Sequence, residues 1–304
     1  MELPWLARRA GRSLLLLFAA SLLSFLLGRF APGGFFADLR LNPQIAPSFV
    51  ETLRHRYGVD RPAASQYVRW LGSTLKGDLG VSLAWRQPVA QILWPRARRT
   101  LAVTGCALLL AWSLGLPWGM LAAARRRSPC DIAGSVLSLL LTAAPEVLLT
   151  LIGVYVAFRL GRTCAIGGML LPVILVAAGA FPAVFLHARG AVEQTLDAAF
   201  VRSARAHGIR GPRLWTRYIL PAAANPMISL FGLSLGALAG ASLVVEAVLG
   251  GPGLGPLFLD AIAARDLDIV TAIVLLSACF LIAGNLLTDL LLALNDPRIR
   301  MARE

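Results

Sequence analysis

Six long apolar runs, about 13 to 30, 100 to 124, 132 to 158, 169 to 188, 226 to 250 and 269 to 294, constrain this chain more than any other feature. Each is long enough to cross a hydrocarbon core of roughly 30 Å as a helix. Hydrophobic residues make up 57% of the chain and the mean hydropathy is +0.71, against roughly 45 to 50% apolar content in soluble domains. The expectation is an all-α polytopic membrane protein with six transmembrane helices.

Arg8, Arg9 and Arg12 precede the first run in the manner of a signal peptide. Arg29 and Phe30 follow it where a small-residue cleavage site belongs, so the run is read as a retained span. Lysine and arginine in short loops set orientation. With both termini inside, fifteen arginines fall in the cytoplasm: Arg8, Arg9, Arg12, Arg125, Arg126, Arg127, six from Arg189 to Arg217, Arg298, Arg300 and Arg303. Arg159, Arg162 and Arg265 fall in the short outer loops.

The formal charge of +13 does not indicate nucleic acid, because the arginines flank spans and form no groove with interleaved aromatics. Cys106 and Cys279 lie in spans, Cys130 in an inner loop and Cys164 outside. That pattern predicts no internal disulfide and no metal-ligand pair. His55, His187 and His207 are too scattered for a metal site.

Four segments result: an N-terminus and first span (1–30), an outer cap (31–99), a five-helix core (100–294) containing a cytoplasmic loop at 189–221, and a tail (295–304). The cap carries turns at Asn42-Pro43, Tyr57-Gly58 and Gly77-Asp78-Leu79-Gly80 and is predicted to be mostly short helices. Its ten basic and four acidic residues fit either solvated charge near lipid headgroups or a docking surface for an acidic partner. Arg125-Arg126-Arg127-Ser128-Pro129 is a tight inner turn, and Arg159 to Gly168 a short outer connection. Several spans carry helix breakers, Pro117, Pro145, Pro172 and Pro182, which membrane helices tolerate. Gly232, Gly236 and Gly240 recur at every fourth residue of span five and permit close helix contact, structural or gating.

Glu146, Glu246 and Asp289 sit in apolar surroundings, where an ionised group costs roughly 2.5 to 3.5 kcal/mol on insertion scales. Glu146 follows Pro145, and Glu246 leads into a glycine-rich segment. Both are candidates for the translocation pathway, with a fold-holding hydrogen bond as the competing role. Asp289 is expected to be paired near the inner surface.

The cytoplasmic loop is the most specific segment. Asp197 is placed to favour a helix N-terminus by charge. Phe200, Val201 and Ala204 share one helical face, while Arg202 and Arg205 project from another. Gly208 permits the left-handed turn that ends such a helix. Leu220-Pro221 starts the next helix, where proline removes no needed hydrogen bond. An interfacial helix lying on lipid, suited to Trp215 and Tyr218, is the alternative.

Gly208 and Leu220-Pro221, with Ala204 before them, resemble the coupling loop of membrane subunits of ATP-binding-cassette importers, whose pattern is E-A-A, three residues, Gly, nine residues, Ile, one residue, Leu-Pro. Tyr218 replaces the Ile and Arg202-Ser203 replace Glu-Ala. Arg202-Ser203-Ala204-Arg205-Ala206-His207-Gly208 is similar to the R-T/S-A-R-A-K-G variant of the dipeptide, oligopeptide and nickel permease family. Further similarity runs in family order: Tyr57-Gly58-Val59-Asp60-Arg61-Pro62, Gln66-Tyr67, Trp70-Leu71, Gly77-Asp78-Leu79-Gly80, Ser82, Pro88-Val89, Val244-Val245-Glu246, Pro252-Gly253-Leu254-Gly255, Ala261-Ile262, Arg265-Asp266 and Asp296-Pro297-Arg298-Ile299-Arg300. The short outer connection before span four and Gly250-Gly251 ahead of the Pro-Gly depart from it.

The resemblance implies a type I importer permease in a bacterial inner membrane, paired with a second homologous six-span subunit, two cytoplasmic ATPases that bind ATP and Mg, and an extracytoplasmic solute-binding protein. Asp197, Arg202, Ser203, Ala204, Arg205, Gly208, Leu220 and Pro221 would couple to the ATPases. This chain is expected to bind no cofactor and to be no enzyme: its only lysine, Lys76, follows Leu75 where a P-loop needs glycine. Peptides, nickel or another metal chelate, and short oligosaccharides are all compatible cargoes. An ion-coupled secondary transporter would need an inverted repeat and midplane charge sites; an intramembrane enzyme would need a concentrated catalytic set. Neither pattern is evident.

Overall fold

A computed structural model describes residues 3–30, 48, 50–52, 62–161 and 168–295. Tyr57 to Arg61, His55, Arg162, Cys164, Asp296 to Arg300 and Arg303 lie outside the described residues. The helices are α1 (Leu3–Phe30), α2 (Ala63–Leu75), α3 (Val89–Ala124), α4 (Pro129–Ala143), α5 (Glu146–Arg159), α6 (Leu170–Leu196), α7 (Ala199–Ala206), the single turn α8 (Gly211–Leu214), α9 (Leu220–Leu249), α10 (Leu254–Ala263) and α11 (Leu267–Asn295). A wider π turn, Trp215–Ile219, joins α8 to α9. Among the described residues there is no strand, only an isolated bridge between Val81 and Pro88.

Val89–Ala124, Leu170–Leu196, Gly211–Leu249 and Leu267–Asn295 are long and apolar enough to cross a membrane. The run expected as a single span over 132 to 158 is instead the pair α4 and α5, bent by 103°. Pro145 lacks an N–H and disfavours the helical conformation in Ala144 before it, which accordingly adopts an extended ψ of 123°. The apolar stretch described within α1, Gly11–Leu26, is shorter than the four long helices.

The chain forms two compact units. The first comprises residues 1–99 and 252–279. Within it, Ser21 of α1 and Tyr67 of α2 share a buried hydrogen bond of 2.7 Å. Phe18 and Phe25 stand edge-on to the Tyr67 ring, with centroids 5.8 and 5.4 Å away. Asp266, fully buried, accepts from Ser82 Oγ at 2.5 Å and from the Ala84 N–H at 3.1 Å. Its other oxygen accepts from the Ile269 N–H at 3.4 Å, in the position of a helix cap for α11. Two stretches singled out separately in the sequence, around Ser82 and Arg265-Asp266, are therefore one structural feature.

The second unit comprises residues 100–251 and 280–304. Val103, Ala107 and Ala111 of α3, Val173, Val176 and Ala177 of α6, and Leu238, Val245 and Leu249 of α9 form its core. Small residues let the helices close up. A Cβ at Gly119 of α3 would stand 2.5 Å from the Phe185 carbonyl oxygen and 2.9 Å from the Ala188 Cβ of α6. Gly119→Leu is expected to lower stability by about 1 to 3 kcal/mol through overpacking, seen as a reduced thermal midpoint in detergent. An unchanged midpoint would contradict the close approach.

The glycine stripe of α9 behaves likewise in part. A Cβ at Gly232 would run into the Thr288 side chain and one at Gly236 into Leu281, both on α11, whereas Gly240 faces open space. Nearby, Trp118, Phe181 and Phe185 pack as an aromatic group, and Trp118 Nε1 donates to the Cys130 carbonyl at 3.1 Å.

Candidate functional site

The loop begins later than hydropathy implied, because α6 continues past residue 188 to Leu196. Apolar periodicity persists through Ala188 and Val192, which are buried, while Arg189 and Glu193 pair one turn apart at 3.4 Å. A helix need not end where its lipid-facing character ends.

Asp197 stands at the C-terminus of α6, and the cap position of α7 is Ala198, with no side-chain cap. Asp197, one residue ahead of that cap, also forms an ion pair: its carboxylate accepts from Arg126 Nη2 at 2.7 Å. That bond holds the Asp197 carboxyl below the usual carboxylate range. Its stabilising contribution is present above the ordinary value and lost as pH falls through the lowered one.

Arg126 belongs to a chain of charges that the sequence reading missed. It also meets Glu193 Oε1 at 3.0 Å and the Glu193 carbonyl at 3.0 Å. Glu193 meets Arg189, and Arg189 grips Asp131 of α4 through Nε at 2.6 Å and Nη2 at 3.2 Å. Asp131, only 5% exposed, accepts a further bond from the Arg127 N–H at 3.0 Å. The local signal was available: Ser128-Pro129-Cys130-Asp131 has capping-box spacing with proline at the first helical position. Ser128 Oγ accepts from the Asp131 N–H at 3.3 Å.

Within α7, Val201 and Ala204 are buried against Ala123 of α3, Val192 of α6, Leu214 of α8, Ile219 of the π turn and Ala223 of α9. Phe200, expected on that face, is 48% exposed. It sits at the edge of a helix so short that only the two residues three apart face fully inward. Arg202 and Arg205 are exposed as expected, and Ser203 between them is exposed too. Gly208, at φ +80°, ends the helix. The Ile209 N–H bonds the Ala204 carbonyl at 3.0 Å and the Gly208 N–H the Arg205 carbonyl at 3.0 Å, the bonding of a Schellman-type stop. Leu220 and Pro221 open α9. All eight loop residues thus fall on one continuous stretch from the end of α6 to the start of α9.

The two glutamates lie elsewhere. Glu246 of α9, 2% exposed, accepts from Thr100 Oγ1 at 2.6 Å. Glu146 is exposed in the first turn of α5, where the helix dipole favours a negative charge. Asp289 is buried in α11. No group of three or more His, Cys, Asp or Glu among the described residues is placed to hold a metal.

Residues 115–301 match the family model described as binding-protein-dependent transport system inner membrane component. The chain belongs to this family. Relatives of this inner membrane component include the oligopeptide transport system permease protein AppB of Bacillus subtilis, 30% identical over 312 residues, covering 97% of this chain and 98% of the relative. The dipeptide transport system permease protein DppB of Escherichia coli (strain K12) is 28% identical over 335 residues, covering 98% and 99%. Among solved structures, a chain of the MetNI methionine ABC transporter in an inward facing conformation superposes with a TM-score of 0.59 at 17% identity. It covers 68% of this chain and 97% of that one. At that identity the likeness speaks for the fold.

Proposed function

We propose that this inner membrane component is the permease subunit of a binding-protein-dependent ABC importer of short peptides, driven by partner ATPases. One observation carries the reading. α7 is clamped by Val201 and Ala204 to the ends of α3, α6 and α9 while Phe200, Arg202, Ser203 and Arg205 stay free to meet another protein. A helix so anchored passes an external push to the bundle, as rigid-body switching requires. Of the cargoes weighed from the sequence, a peptide is favoured by the names of the relatives, and nickel or another chelate has no comparable support.

In this reading α1, α3, the bent α4–α5 pair, α6, α9 and α11 make six spans with both termini cytoplasmic. Residues 31–99 form the outer cap, and the 189–221 loop faces two ATPases that carry ATP and Mg. A second homologous subunit completes the pathway and an outer binding protein delivers the peptide. Glu246 lies along the route as a held, buried carboxylate, and Glu146 at its broken helix.

The experiment is a cysteine at Phe200 in the assembled transporter. Cross-linking to an ATPase subunit that changes with nucleotide is expected. Labelling only by periplasmic reagents would overturn the orientation and the coupling role together. An ion-coupled secondary transporter makes the opposite prediction in a companion assay, since its uptake would survive deletion of the ATPase genes and collapse with protonophore.

A further inference from the structure

From Ala198 to Val245 the chain carries five arginines and not one Asp or Glu. Two of them, Arg202 and Arg205, sit on α7. The other three, Arg210, Arg213 and Arg217, follow Gly208 and flank Gly211, whose φ of +60° redirects the backbone again. They therefore belong to a separate element, the α8 and π-turn elbow that leads into α9.

Along that elbow the buried side is fixed by Leu214 and Ile219, which pack with Val201 and Ala204. The opposite stripe is Arg213, Thr216, Arg217 and Leu220, at helical spacing i, i+3, i+4 and i+7, and all four are exposed. Trp215 and Tyr218 are half-buried between the two sides. Among the described residues Arg210, Arg213 and Arg217 form no ion pair. The same helix then runs on to Leu249 as a stretch apolar enough to cross a membrane.

We propose that Arg213 and Arg217, flanked by Trp215 and Tyr218, form a binding site for the phosphate headgroups of anionic lipid where α9 leaves the bilayer. The exposed stripe changes from cationic to apolar between Arg217 and Leu220, within one helical turn. That is the profile of a headgroup-to-acyl boundary at the start of a helix apolar enough to cross a membrane. Amphipathic aromatics prefer the same depth. Arginine stems lie along apolar surface while the guanidinium reaches the phosphate layer. The site holds the elbow at a fixed height, so α7 keeps its distance from the membrane when pushed. It rests on the membrane placement of α9 and not on the coupling reading, so either can fail alone.

The test is native mass spectrometry of the assembled transporter taken from nanodiscs of phosphatidylcholine and phosphatidylglycerol. The wild type is expected to retain phosphatidylglycerol. The double variant Arg213→Gln/Arg217→Gln should retain it about fivefold less per arginine removed. Arg213→Lys/Arg217→Lys should keep most of it. Equal retention in the Gln double variant would overturn the proposal. So would retention that persists while the ATPase subunits dissociate, which would assign these arginines to the ATPase, or stripping of the lipid by millimolar inorganic phosphate, which would make the site one for free anion. If neither double variant assembles, a photoreactive phosphatidylglycerol on the wild-type complex decides: adducts should map to residues 210–222, and adducts confined elsewhere would sink the idea.

Discussion

Gly208→Val is expected to cut uptake at least about tenfold while the amount of inserted protein stays within roughly twofold. Gly208 holds φ +80° and a Cβ built on it meets nothing within 4 Å, so the penalty comes from the backbone and not from crowding. An L-residue in that conformation costs about 1 to 2 kcal/mol, and a β-branched one more. The cheapest escape is to abandon the turn, giving up the bonds from Ile209 to Ala204 and from Gly208 to Arg205. A loss of about 2 kcal/mol is too small to unfold a helical bundle, yet it lowers the population of the correctly angled α7 more than tenfold. Gly208→Asn separates the causes, since asparagine tolerates the left-handed region and should retain most uptake. The measurement is labelled dipeptide uptake by cells, normalised to permease in the membrane fraction. A fully active Val variant, or an Asn variant as inactive as Val, would remove the backbone argument.

Asp131→Ala is expected to destabilise the permease by about 2 to 4 kcal/mol, because it leaves the partly buried Arg189 guanidinium without its two-pronged partner and the Arg127 N–H without an acceptor. Arg189 keeps Glu193 at 3.4 Å, which limits the loss. Thermal unfolding in detergent should show the single variants Asp131→Ala and Arg189→Ala each lowering the midpoint. The double variant should do little worse than either one, since the two side chains act on each other. Additive losses would mean that the pair contributes nothing as a pair.

Local chemistry was legible in the sequence wherever a backbone conformation demanded a residue type. The Gly208 stop and the Arg125 to Pro129 turn stand where glycine, serine and proline placed them, whereas proline alone did not say which helix breaks: Pro145 parts α4 from α5, while Pro117 and Pro182 lie inside continuous helices. Exposure of Arg202 and Arg205 followed from charge. What stayed hidden required knowing which loops meet. Arg126 and Asp197 are 71 positions apart, and neither neighbourhood announces the other. Phe200 and Val201 are adjacent apolar residues on a helix of eight, too short for periodicity to say which one turns inward. Hydropathy ended α6 at its first charges, although Arg126 and Asp131 receive those charges and let the helix continue.

The bonds from Ser82 and Ala84 to Asp266 join positions 184 and 182 apart in the chain. During synthesis the early segment must therefore wait, its hydroxyl and amide unanswered, until Asp266 has left the ribosome. A product truncated before Asp266 would leave the Ser82 hydroxyl and the Ala84 amide without their acceptor, so an interrupted chain exposes polar groups that the folded chain keeps covered.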